Sequence, residues 1–148
     1  RSFVEMEAEY LASCAVRHLV LARDGTVLAY SVSESSGSGL LQALTITNRP
    51  IAERMVDHAR EPLVSISLSR DDRYLLFATA RCVQLLHTHT LTTYEVLHEV
   101  APKRAKVKCA TLWTPPNARL AERVAPYAFI GLEDNSVLAI RVQVETPP

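Results

Sequence analysis

Apolar and polar residues alternate along most of this chain, and the alternation predicts strands. Val4, Met6, Ala8 and Tyr10 interleave with Glu5, Glu7 and Glu9. That period-two pattern reads as a half-buried strand with its carboxylates on the wet face. Residues 18–22 and 26–32 are β-rich runs on either side of Asp24-Gly25, where the glycine supplies the positive φ that a tight hairpin requires. Residues 33–39 (SESSGSG) form a flexible connector, and 40–47 read as a strand. Ile51, Met55, Val56 and Ala59 share a helical face, which predicts a short helix within 51–60. Further strands are expected at 63–68, 73–79, 83–90, 93–100, 107–113, 127–132 and 136–144. Turns fall at Asp71-Asp72 and at Asp134-Asn135, and a second short helix is expected within 117–125.

The pattern also repeats. Shifted by 110, residues 18–32 (HLVLARDGTVLAYSV) lie over 128–142 (AFIGLEDNSVLAIRV). Asp24, Gly25 and Thr26 then meet Asp134, Asn135 and Ser136, and glycine and asparagine are the residues that best tolerate left-handed φ. A shift of 56 brings Val83 over Val27, so the spacing suggests units of about 55 residues. A period above about 40 residues with four strands per unit is the signature of a β-propeller. The expected fold is therefore all-β, about two and a half four-stranded antiparallel blades. The first unit, 1–57, is expected to be incomplete, with the second at 58–103 and the third at 104–148.

A family resemblance follows from these residues. Residues 63–91 (LVSISLSRDDRYLLFATARCVQLLHTHTL) resemble a WD40 repeat. The stretch 68–75 matches the inner-strand end and turn of that repeat, and Asp57-His58 sits near its usual Gly-His. Leu86-His87 stands where Trp-Asp normally ends the unit, so the repeat is divergent and its His–Ser/Thr–Asp–Trp network is incomplete. The order of elements, ending in a hairpin around 131–136 (GLEDNS), is similar to the C-terminal propeller of BEACH-domain proteins, large scaffolds of membrane traffic. The resemblance implies a non-catalytic protein–protein interaction scaffold without a cofactor. It implies a cytoplasmic protein, peripheral to membranes when it meets them. The remaining blades would come from sequence beyond these residues or from another chain, and an opening on Arg1 rather than Met fits such a piece.

Composition narrows the partners. The 148 residues carry 16 basic and 16 acidic side chains, a formal net charge of zero. A dedicated nucleic-acid binder usually has a large basic excess. Cys14, Cys82 and Cys109 are odd in number and lack metal-ligand spacing; they read as three buried thiols of a reducing compartment. No apolar run approaches the ~18 residues of a membrane-spanning helix. There is no phosphate-binding glycine loop and no nucleophile elbow. Lys103, Arg104, Lys106 and Lys108 form the one dense basic cluster, a candidate contact for phospholipid headgroups, acidic peptide or RNA, though only Trp113 lies nearby where a nucleic-acid platform interleaves aromatics. Trp113 and Arg119 are candidate partner anchors. The connections 33–39, 47–62, 101–106 and 114–126 are expected to carry specificity. The alternative function rests on His87 and His89, one residue apart on a predicted strand, which would share a face and could start a metal site or a metal-dependent hydrolase centre.

Overall fold

The computed structural model describes residues 15–143. The acidic row at Glu5, Glu7 and Glu9 and the thiol of Cys14 lie outside them. The described residues form three antiparallel sheets in sequence order. The first sheet is a meander of β1 (Ala15–Leu21), β2 (Val27–Val32), β3 (Gly39–Leu44) and β4 (Pro50–Val56). The second repeats the plan with β5 (Leu63–Leu68), β6 (Tyr74–Thr79), β7 (Cys82–His87) and β8 (Thr93–Glu99). The third has β9 (Val107–Trp113), β10 (Tyr127–Leu132) and β11 (Val137–Arg141), with a single helical turn α1 (Ala118–Ala121) between β9 and β10. The three-stranded sheet is thus the last one, and residues 15–56 already make a four-stranded first sheet.

Burial explains why the middle strands are so apolar. All six residues of β6 (YLLFAT) are buried, the near-continuous apolar run expected of a strand covered on both faces. Successive side chains of a strand point to opposite faces. Leu75 and Phe77, with Leu86 of β7, pack against Leu28, Tyr30, Leu41 and Ala43 of the first sheet. Tyr74, Leu76 and Ala78, with Val83 and Leu85 of β7, pack against Val107, Ala128 and Ile130 of the third. The sheets therefore stack face to face, with the second between its neighbours. The first strands lie side by side along the stack: β1 touches β5, and β5 touches β9.

A part-buried polar link at the edge of this core ties the first sheet to the second. The Leu63 N–H donates to Nδ1 of His58 over 3.3 Å, which fixes that nitrogen as an acceptor. The Tyr30 hydroxyl, 2.8 Å away, donates to the same atom. Burial pushes the Tyr30 phenol up to about 12 and holds the His58 imidazole below its ordinary value, the Arg17 and His18 charges adding to the latter. Tyr30 in turn covers Gly39, directly across the β2–β3 ladder from Val32.

Three sequence expectations are corrected. Residues 51–60 do not start a helix; Pro50–Val56 is β4, paired with β3. The exposure of β4 alternates, with Ala52, Arg54 and Val56 inward, so pairing with β3 decided between two periods that the sequence both allows. Pro50 is tolerated because it opens an edge strand. The strand expected at 83–90 ends at His87, where Leu91 turns back with φ of 59° and its N–H donates to the His87 carbonyl. The repeat is shorter than 55 residues. Structural order pairs β1 with β5 and β2 with β6 at a shift of 47, while β3 with β7 and β4 with β8 match at 43. The shift of 110 instead laid the first hairpin of the first sheet over β10–β11, the second hairpin of the third. It scored well because the two turns share their hydrogen bonds: the Thr26 N–H donates to Asp24 Oδ1 over 2.9 Å, and the Ser136 N–H to Asp134 Oδ1 over 3.0 Å.

Candidate functional site

In an antiparallel meander alternate connections share one rim of the sheet. One rim of this stack carries the turns 22–26, 45–49, 69–73 and 88–92, the long connection 114–126, and the end of β11. The turns 22–26 and 69–73 have the same construction at a shift of 47. Asp24 and Asp71 each accept from the backbone N–H two residues on, at 2.9 and 3.1 Å. Gly25 and Asp72 each adopt positive φ, 88° and 61°. An aspartate that accepts from its own turn fixes that turn locally.

The rim is stitched across all three sheets. The Arg23 N–H donates to Asp72 Oδ2 over 2.7 Å, joining the first and second sheets. The His89 ring donates from Nε2 to Asp24 Oδ2 over 2.9 Å, and Thr26 Oγ1 lies 3.3 Å from the same nitrogen. The bonds from Thr26, followed by that from His89, lower the Asp24 carboxyl to about 2. The Arg70 N–H donates to Thr114 Oγ1 over 3.1 Å, joining the second sheet to the long connection of the third. At the far side of that connection, Asn117 caps α1 by accepting from the Leu120 N–H over 2.8 Å.

Between the 69–73 turn and the 114–126 connection the rim opens into a cleft of about 790 Å³. Its floor is apolar: Leu85 and Leu112, with the buried Tyr74 and Val142. Its walls carry five arginines, Arg23, Arg70, Arg73, Arg123 and Arg141. Two carboxylates, Asp71 and Glu122, also line it. Asp71 is already engaged, accepting from Ser69 Oγ at 2.7 Å and from the Arg73 N–H. Among the described residues, none of the five arginines has a carboxylate within ion-pairing distance; the ion pairs found there are Arg17–Glu34 and His89–Asp24. Arg73 instead lies over the ring of Tyr74, 5.5 Å from its centroid.

The residues singled out from sequence are dispersed by the fold. Lys103, Arg104 and Lys106 sit on the opposite rim, at the start of β9, with Lys103 in a turn at φ of 65°. Lys106 is held there by an exchange with Glu133, whose carboxylate accepts from the Lys106 N–H over 3.0 Å. Lys108 falls at the irregularity between the Cys109–Gly131 and Val107–Leu132 pairs. Trp113 lies on the outer face of the third sheet beside Tyr127 and Phe129, and Arg119 lies on α1. The seven residues of β9 separate the lysine cluster from the 114–126 connection by roughly 20 Å. Within the connection expected at 47–62, Pro50–Val56 is the strand β4.

His87 and His89 turn to different partners. His87 packs on the rings of Tyr74 and Tyr94 at centroid distances of 5.7 and 5.4 Å, while His89 reaches Asp24. Among the described residues no three His, Cys, Asp or Glu gather where they could hold a metal. The cysteines were expected to be buried, but Cys109 is exposed on the outer face of the third sheet and Cys82 is half-buried. The strand that carries Cys109 has one covered face only, and Cys109 falls on the other. No helix among the described residues is long and apolar enough to cross a membrane.

The arginines of the cleft escaped the sequence reading because they come from four separate segments, the 22–26 and 69–73 turns, the 114–126 connection and β11, and form no run. One signal was present: an Arg-Asp pair opens both equivalent turns, Arg23-Asp24 and Arg70-Asp71. It emerges at a shift of 47, not at the shift of 110. No protein-family model matches the chain, and no curated protein matches it.

Proposed function

We propose that this chain is a non-catalytic protein–protein interaction scaffold, a segment of a WD40-like β-propeller of the BEACH type that serves membrane traffic. The observation that carries the reading is the stack itself. Consecutive four-stranded meanders lie face to face, their first strands side by side, with equivalent hairpin turns 47 residues apart. Such a stack is a rigid frame whose rim connections are free to carry specificity. The two end sheets present apolar outer faces. Leu19 and Met55 on the first are 68% and 66% exposed, and Val137 on the third is 69% exposed, with Trp113 and Phe129 also exposed on that sheet. Exposed large apolar side chains on an outer sheet face favour its use as an interaction face. A further sheet of the same design is the occupant that fits both ends, from this chain or from another.

Quantitative affinity capture tests the reading. The wild-type chain is compared with one carrying substitutions on the cleft rim (Arg70→Gln with Arg123→Gln) and one carrying substitutions on the remote edge strand β8 (Glu95→Gln with Glu99→Gln). A set of proteins, including components of vesicle traffic, that is lost only from the rim variant supports the scaffold. Identical recovery by all three refutes it.

A further inference from the structure

We infer that the arginine-walled cleft between the second and third sheets is a docking site for an acidic peptide segment of a partner protein, with aspartate, glutamate or phosphoserine side chains against the arginines. The inference deepens the scaffold reading and rests on it. Charge complementarity carries the choice of occupant. The chain as a whole is neutral, yet Arg23, Arg70, Arg73, Arg123 and Arg141 line one concavity against two carboxylates, Asp71 and Glu122. Among the described residues none of them has an ion-pair partner. Like charges gathered without internal partners repel one another, and an anionic ligand relieves that repulsion. The guanidinium fork suits this role because it meets a carboxylate or a phosphate with two parallel hydrogen bonds.

The cleft's shape selects a peptide over other polyanions. Its volume of about 790 Å³ falls within the range of roughly 300–1,000 Å³ typical of ligand sites. It would take a few side chains. The floor of Leu85, Leu112 and Val142 offers apolar contact between the charged walls, so the fitting segment interleaves acidic with apolar residues. Single-stranded nucleic acid is bound on aromatic platforms that stack its bases. The one aromatic here, Tyr74, is only 4% exposed and lies beneath Arg73. An anionic membrane surface attracts contiguous runs of Lys and Arg, whereas these arginines are dispersed in sequence and share the cleft with Asp71, Glu122 and an apolar floor. The site is also framed: the Arg70 N–H bond to Thr114 and the Asn117 cap hold the two sides of the cleft.

Fluorescence anisotropy tests the assignment. The probes are two labelled twelve-residue peptides alternating acidic and leucine residues, one with glutamates and one with a central phosphoserine, and a glutamine-for-glutamate version of the first. Inorganic phosphate, a single-stranded RNA and phosphatidylserine vesicles are the comparison ligands. Both acidic peptides should bind, the glutamine version should bind at least about tenfold more weakly, and added salt should weaken binding. The variant Arg70→Gln with Arg123→Gln should lose about tenfold or more in affinity. Arg104→Gln with Lys106→Gln, which removes the same charge from the opposite rim, should lose less than about twofold. Matching thermal melts establish that both variants fold. Equal binding of the glutamine peptide, equal losses in the two variants, or cleft-dependent preference for RNA or vesicles would overturn the inference. If neither acidic peptide binds while affinity capture still shows partners lost from the rim variant, the ligand class is wrong and the scaffold stands.

Discussion

Gly39→Ala is the sharpest test of how the first sheet is built. Gly39 has no need of left-handed backbone, so the cost of a side chain there is steric. A Cβ at this position would overlap the Tyr30 hydroxyl and lie 2.7 Å from its Cζ. The ring cannot retreat freely, because Tyr30 is fully buried and packs edge-on to Phe77 at 6.2 Å. Overpacking of this kind costs about 1–3 kcal/mol. Displacing the ring also weakens the Tyr30 hydrogen bond to His58, worth a further ~0.5–1.5 kcal/mol. Alanine restricts the unfolded chain and returns about 0.4–1 kcal/mol. The net destabilisation is about 1–3.5 kcal/mol. Urea unfolding followed by circular dichroism should show it as a midpoint lowered by roughly 1 M, at the ~1–3 kcal/mol/M slope of a chain this size. Tyr30→Phe removes the nearest atom but leaves Cζ, so the double variant should recover part of the loss, with a coupling of at least about 0.5 kcal/mol. A neutral Gly39→Ala, or additive effects of the two substitutions, would refute the close packing of Tyr30 over Gly39.

Leu76→Ala should cost about 2–5 kcal/mol and Phe77→Ala about 3–5 kcal/mol in urea unfolding, because these neighbours face opposite cores. Leu19→Ala, on the exposed outer face, should cost under about 0.5 kcal/mol by the same measurement. His58 has its pKa depressed in the folded chain, so its contribution is present above its ordinary value near 6.5 and is lost as pH falls from there through the folded value. Urea midpoints at pH 7.5 and 5.5 should therefore drop more in wild type than in His58→Gln, and an equal drop would contradict the neutral, Nδ1-accepting histidine. Cys109 should alkylate well before Cys82 in iodoacetamide labelling read by mass spectrometry. Cys82 is half-buried, and its thiol is pushed up to about 11, first by burial and then by Glu99 and Glu61.

The strand content was legible because period-two alternation survives wherever one face is buried, as in 63–68 and 93–100. It failed at 51–56, where Ile51, Met55 and Val56 satisfy a helical spacing as well and only pairing with β3 decides. The repeat was legible in kind and misread in phase. The Asp24 and Asp134 turns make the same backbone bonds although their hairpins occupy different places in their sheets. The 114–126 insertion lengthened the apparent period. The basic cluster at 103–108 was visible because it is contiguous. The arginine cleft was not, because rim geometry assembles it from residues as distant as Arg23 and Arg141.

Residue-resolved hydrogen exchange of the native chain tests the central claim, a middle sheet enclosed between two others, most directly. With both its faces buried, β6 should exchange only through global unfolding, together with the hydrogen-bonded amides of β7, while the edge strands β4 and β8 exchange through local opening. Amides of β6 that exchange as fast as those of β4 would contradict the stack.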